Sequence, residues 1–350
     1  MKRPQILRGC AIHWRLKMRL ITQLLAAFLC AAAADSRAFA QDEPLKPGEH
    51  IAQINGVKQW YKVSGTGAIC LMPSPAWGMS SDLYIKTFQP MEKIFTIVYL
   101  DSRACGRSDP APSLKQYTWG DLDADLDALR AHLGQKRVWV MGHSEGAMEA
   151  LHYACKHPTR INGAVLLSVG GISGKDFGRT DDAFLAAREG DPRFAEAVKV
   201  TRQRDDLPKN SAELAKFLKA QLPLYWYDPA KIAKYAGAFG GGGNNNTNNS
   251  SAGAGKSSST PLEGKDASHR DGLSDITAAD YKHLTAPVLI VSGDNDWVCP
   301  LDGDTRLHLA LANSKLLVIE QCGHFTWMEQ PEAFNTRVSE FLQALGLRTH

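Results

Sequence analysis

Short, nearly uninterrupted apolar runs recur along this chain at residues 68–72, 95–100, 138–141, 164–168, 288–292 and 316–319. Runs that are apolar at every position, rather than at every second one, suit strands of a parallel sheet covered on both faces. Ahead of them, residues 51–54 and 57–63 flank Asn55-Gly56, the signature of a hairpin closed by a tight turn. Between the runs lie helical patterns. The clearest places Leu122, Leu126, Leu129 and Leu133 on one face, with Thr118 positioned to cap the first turn. Alternating β and α segments predict an α/β fold with a mostly parallel, doubly wound sheet.

The alternation stops between residues 172 and 282. Helix starts recur there without strands: Thr180 before Asp181-Asp182, Asp191-Pro192, Ser211 before Glu213, and Asp228-Pro229. Phe184, Phe194, Phe217, Leu218, Leu224, Tyr225, Trp226 and Tyr227 would give these helices an apolar face. We therefore expect a helical cap, 172–282, inserted into a core made of 41–171 and 283–350. Within it, the Gly/Asn/Ser tract 240–260 has too little apolar surface to offset its ordering entropy, and a mobile loop is expected. Gly255-Lys256-Ser257 has the ending of a phosphate-binding loop, but the glycine that motif requires falls at Ser250 and no strand precedes the tract.

The first 40 residues have a different character. Lys17-Met18-Arg19 is a basic start, Leu20 to Ala34 is largely apolar, and Ala38-Phe39-Ala40 reads as a cleavage site before Gln41. A signal peptide cleaved after Ala40 is expected, and with it a periplasmic or secreted protein without a stable membrane anchor. Leu29 before Cys30 argues against lipid attachment, and Met18 is an alternative start. The leader holds seven of the 40 Lys/Arg and one of the 37 Asp/Glu, so the net charge of +3 becomes −3 without it. Nucleic acid is accordingly not an expected partner. Five cysteines remain: Cys70, Cys105, Cys155, Cys299 and Cys322. None has the spacing of a metal site. Cys299 and Cys322 follow two strands expected to be neighbours, so they form either a disulfide or two buried thiols.

The chemistry-bearing residues gather after the apolar runs. Residues 138–141 lead into Gly142-His143-Ser144-Glu145-Gly146 and then into helix formers, the strand–turn–helix setting of a nucleophile elbow. A Cβ on either flanking glycine would clash with the adjoining strand or helix. A serine nucleophile needs a base to take its proton and an acid to orient the base. His324 follows the last run, and Asp296, with Asp294 as the alternative acid, follows the run before it. All would stand at strand carboxyl ends, where open α/β sheets bind ligands. Asp121, Asp123, Asp125 and Asp127 alternate as in a calcium loop, but Leu126 occupies the glycine position, and they read as acids on the exposed side of the Leu122–Leu133 helix.

The segment Asp101-Ser102-Arg103-Ala104-Cys105-Gly106-Arg107-Ser108-Asp109, the turn carrying Asp296 and Gly323-His324-Phe325 resemble those of proline iminopeptidase-like α/β-hydrolases. The order Ser, Asp, His also matches. The resemblance spans roughly residues 50–170 and 285–345 and does not extend into the cap. It implies an α/β-hydrolase fold and a serine hydrolase with Ser144 as nucleophile, His324 as base and Asp296 as orienting acid. The backbone N–H groups of Ala76 and Glu145 would form the oxyanion hole, since Pro75 has no N–H to give. Gly142, Gly146 and Arg103 would support the site, and Trp77 would contact substrate. No metal or cofactor is implied, and the partner would be a small molecule or short peptide. Three departures stand out: Ala104 replaces a glycine, Glu145 replaces a tryptophan, and Ser74-Pro75-Ala76-Trp77-Gly78 replaces H-G-G-P-G. The family recognises a free amino terminus through cap acids; Asp181, Asp182, Glu189 and Glu196 are present, with no way to map them. A carboxylesterase or lactonase, a lyase or carbon–carbon bond hydrolase, and a non-catalytic binding module on the same fold remain as alternatives.

Overall fold

The computed structural model describes residues 43–75, 78–171, 182–203, 211–239 and 276–348. Eight strands form one sheet in the order β1-β2-β4-β3-β5-β6-β7-β8. β1 (Gly48–Ile54) and β2 (Val57–Gly65) are the expected hairpin, joined at Asn55 and Gly56, both at positive φ. β2 also pairs antiparallel with β4 (Phe95–Leu100). Every other pairing, among β4, β3 (Ala68–Pro73), β5 (Val138–His143), β6 (Ile161–Leu167), β7 (Val288–Gly293) and β8 (Ser314–Ile319), is parallel.

The apolar runs follow from burial on both faces. Val138 and Val140 of β5 pack into one core cluster, whereas Trp139 and Met141 pack into the other. Val288 and Ile290 of β7 face the first cluster, and Leu289 and Val291 the second. Successive side chains of a strand point to opposite faces, so both sets must be apolar when helices cover both.

Helix α1 (Trp119–His132) opens with a capping box: the Thr118 side chain accepts from the Asp121 N–H, and the Asp121 carboxylate accepts from the Thr118 N–H. Helix α2 (Glu145–Lys156) follows β5 directly. Between β6 and β7 run α3 (Asp182–Glu189), α4 (Ala195–Arg202) and α5 (Ser211–Gln221). Leu185, Phe194, Ala197, Val198 and Leu224 form a small apolar cluster with Trp297 there. Helix α6 (Ala278–His283) buries Tyr281 in the main core. Helix α7 (Leu301–Ala310) follows β7, and α8 (Thr326–Glu329) and α9 (Pro331–Ala344) follow β8. No helix among the described residues is long and apolar enough to cross a membrane. The leader 1–40, Thr180, Asp181 and the tract 240–260 lie outside the described residues.

One expectation is corrected. Asp123 and Asp125 are not on an exposed face: they are 3% and 2% accessible. Asp125 takes a bidentate pair from Arg103 (2.7 and 2.6 Å), and Asp123 pairs with His152 at 2.7 Å. Buried carboxylates persist only where such partners replace water. Of the two alternatives for Cys299 and Cys322, the structure has the buried free thiols; Cys70 and Cys155 are buried free thiols as well.

Candidate active site

The strand order turns back between β3 and β5. From β3 the chain extends the sheet one way through β4, and from β5 the other way to β8. The crevice beyond the carboxyl ends at such a reversal is the usual ligand site of an open α/β sheet. Ser74 ends β3 and Ser144 ends β5 beside it.

Ser144 sits at φ 57°, ψ −126°, a conformation disfavoured for any residue with a Cβ. The adjoining glycines explain how it is held. A Cβ on Gly142 would run into the Gly146 carbonyl, and one on Gly146 would stand 3.0 Å from the Ser74 carbonyl oxygen. Strand and helix therefore meet with no space between them, and the N–H of Ser144 anchors to Leu167 O at 3.0 Å. Glu145 opens α2, so its N–H lies at the positive end of the helix dipole.

The other two residues come from the loops after β7 and β8. His324 Nδ1 lies 2.7 Å from Asp296 Oδ2, and the N–H groups of Val298 and Cys299 donate to Asp296 Oδ1 at 3.0 and 2.9 Å. A carboxylate held this way accepts the Nδ1 proton and leaves Nε2 as the basic nitrogen. Asp294, the alternative acid, instead accepts from the Cys322 N–H at 3.0 Å and is exposed. Ser144, Asp296 and His324 are all buried.

His143, next to the serine, fastens the elbow to the His324 loop. Its Nε2–H donates to His324 O at 3.0 Å, and the two rings lie 4.4 Å apart. Burial, and then the neighbouring His324, hold His143 well below the usual histidine range, so it stays a neutral donor. Arg103 lies below the site: besides Asp125 it reaches the Gln116 carbonyl. Ala104 stands at φ 61°, in the left-handed region that favours glycine. Ala76 and Trp77 lie outside the described residues.

Sequence patterns gave no notice of several further residues. Glu329 Oε1 accepts from the Gly323 N–H at 2.7 Å, and its Oε2 accepts from the N–H groups of Tyr227 and Asp228 at 2.8 and 3.2 Å. One carboxylate thus joins the segment before β7 to the His324 loop, and burial pushes it up to about 7. Tyr225 adds a second tie by accepting the His324 N–H at 2.8 Å. Asp304, buried and raised to about 7 by burial, accepts from the Gly170 N–H. Arg188 of α3 lies over the Phe184 ring, with its carbon 3.5 Å from the centroid, and reaches Asn295 Oδ1 at 3.3 Å. Its buried Nε has no hydrogen-bond partner, and burial lowers its basicity. Among the described residues no carboxylate pairs with it. One further set stands close together: Asp296, Cys299 and His324 each offer a ligand atom within 4.8 Å of the others.

The family model for the alpha/beta hydrolase fold matches residues 74–331, which include the elbow and both loops. The chain belongs to that family. Among its relatives is a 2-hydroxy-6-oxononadienedioate/2-hydroxy-6-oxononatrienedioate hydrolase of Pseudomonas putida, 26% identical over 71% of this chain and 77% of that protein. A proline iminopeptidase of Neisseria gonorrhoeae is 41% identical over a shorter stretch, 33% of this chain and 38% of that one. Among solved structures, a meta-cleavage product hydrolase from Pseudomonas fluorescens superposes with a TM-score of 0.63 at 20% identity, covering 85% of this chain and 98% of that one. This last likeness is one of fold.

Proposed function

We propose that this α/β-hydrolase is an exported serine hydrolase that cleaves an ester or amide bond through an acyl-enzyme. The observation that carries the reading is the Asp296–His324 pair, held at 2.7 Å, with the His324 loop fastened by His143 beside the strained Ser144. Ser144 Oγ attacks the carbonyl carbon while His324 Nε2 takes its proton. The same proton then passes to the leaving group, and water repeats the sequence on the ester. Asp296 stabilises the imidazolium formed in each half. The N–H groups of Glu145 and Ala76 would receive the oxyanion, each such donor contributing about 3–4 kcal/mol to the transition state. A fluorophosphonate probe should label the mature protein, and Ser144→Ala should abolish the label; an undiminished label would remove Ser144 from the mechanism. Export is tested by the N-terminus of the protein recovered from the producing cells, which should be Gln41.

A substrate bearing a carboxylate is favoured by Arg188. A half-buried guanidinium that no carboxylate among the described residues pairs with directly, and that reaches Asn295 beside Asp296, suits an anionic group better than an amino terminus. Of the candidate cap acids, the two whose side chains are described, Glu189 and Glu196, are 58% and 76% exposed and pair with Arg202 and Lys199. The relative from Pseudomonas putida is named for a dienedioate, which carries carboxylates. Aryl monoesters of dicarboxylic acids should therefore turn over faster than neutral aryl esters and proline arylamides. Arg188→Gln should erase that preference; faster turnover of the arylamide would return the reading to a peptidase.

A further inference from the structure

Hydrolysis as derived above uses the backbone of Cys299 and leaves its side chain idle. That thiol is fully buried, reduced, and within 4.8 Å of ligand atoms on both Asp296 and His324. Its place is fixed by the turn, because the Val298 and Cys299 N–H groups both donate to Asp296 Oδ1. Asp304 adds a second buried carboxylate to the field at the sulfur. Sulfur, imidazole nitrogen and carboxylate oxygen are a donor set that favours Zn2+ and similar thiophilic ions over Mg2+ or Ca2+. On a tetrahedral zinc, ligands bound at about 2.0–2.3 Å lie roughly 3.3–3.6 Å apart. Asp296 Oδ2 and His324 Nδ1 are 2.7 Å apart and all three ligand atoms lie within 4.8 Å of one another, so donor-atom movements of about 1 Å reach that spacing, within the range of a rotamer change at Cys299. Asn295 and Val298, on either side, are only partly buried and bring solvent to within a residue of the cluster.

We propose that Asp296, Cys299 and His324 form an inhibitory site for a thiophilic divalent cation such as Zn2+, with water completing the coordination. The consequence for catalysis rests on His324 being the base. On binding, the Cys299 thiol releases its proton to solvent and the sulfur bonds as thiolate. If the ring bonds through Nδ1, its proton moves to Nε2; if through Nε2, the lone pair itself is occupied. In either case His324 no longer accepts the proton of Ser144, and Asp296 no longer orients it.

Two readouts separate the metal site from the nucleophile. The first is titration of the mature protein with Co2+, followed by sulfur-to-cobalt charge-transfer absorption. Wild type and Ser144→Ala should both show the band, and Cys299→Ser and Cys299→Ala should bind at least about tenfold more weakly or lose it. The second is fluorophosphonate labelling with and without Zn2+, each variant compared with its own metal-free rate. Zn2+ should slow labelling of wild type at least about tenfold and leave both Cys299 variants unaffected. No band in wild type, an equal band in the Cys299 variants, or equal inhibition in all three would overturn the proposal. If metal-free wild type takes no label, the catalytic reading fails instead, and the cobalt titration still decides whether the site exists.

Discussion

Among the described residues, two buried Asp–His pairs have nearly identical local geometry. Asp296–His324 and Asp123–His152 each join Oδ2 to Nδ1 at 2.7 Å, and all four residues are no more than 5% accessible. Their surroundings differ. The first stands on loops at strand ends, its ring 4.4 Å from that of His143, the residue before the strained serine. The second lies between α1 and α2, its imidazole stacked on Trp119 at 5.7 Å and 20°. The hydrogen bond does not make a catalytic pair. The proposed role of the first pair rests on its placement beside Ser144 at the sheet's reversal, and the same bond elsewhere holds two helices together.

Substitution should break the symmetry sharply. His324→Ala is expected to lower the fluorophosphonate labelling rate per folded molecule by about 10^4-fold or more, whatever stability it also loses. His152→Ala should spare that rate. It removes the hydrogen-bonded partner of the buried Asp123 carboxylate and should destabilise the fold by about 3–5 kcal/mol in denaturant titration. Equal loss of labelling in both variants would erase the distinction.

A smaller effect is expected from Glu149, which lies one turn before His152 on α2. Its carboxyl is buried, held by Ser102 Oγ at 3.2 Å, and burial followed by the charge of Asp125 pushes it up to about 8. Between the ordinary carboxylate range and pH 8 the unfolded chain has given up this proton and the folded chain keeps it. The group therefore removes stability as pH rises through that window. Glu149→Gln should match wild type near pH 4 and exceed it by a few kcal/mol at pH 8, read from urea midpoints at both values. A gain of equal size at both pH values would mean the carboxyl titrates normally. Smallest of all, Thr118→Ala removes the cap of the helix that carries Asp123 and should cost about 1 kcal/mol without touching the labelling rate.

Strands 68–73 and 138–143 were readable because burial on both faces forces every position to be apolar, and the turn after each is then the only place for polar chemistry. That is why Ser144, Asp296 and His324 could be named together. The acids of α1 were misread for a reason visible in hindsight. Asp125 stands three residues after Leu122 and four before Leu129, inside the apolar stripe rather than opposite it. A charge at such a position calls for a buried partner, but the partner, Arg103, comes from the loop after β4 and no local period announces it. Glu329 and Arg188 were silent for a related reason. Their partners are backbone N–H groups and rings brought together only by the fold. Cys299 and Cys322 follow adjacent strands, as expected, yet adjacency of strands does not fix the direction of two side chains.

The backbone at Ser144 has a consequence for how this protein can change over time. A side chain at φ 57°, ψ −126° carries strain on the order of 1–3 kcal/mol that glycine would not feel. Ser144→Gly should therefore raise the melting temperature while removing the hydroxyl altogether. At this one position the most stable chain would lack the hydroxyl on which the proposed mechanism depends, so stability and that activity pull in opposite directions.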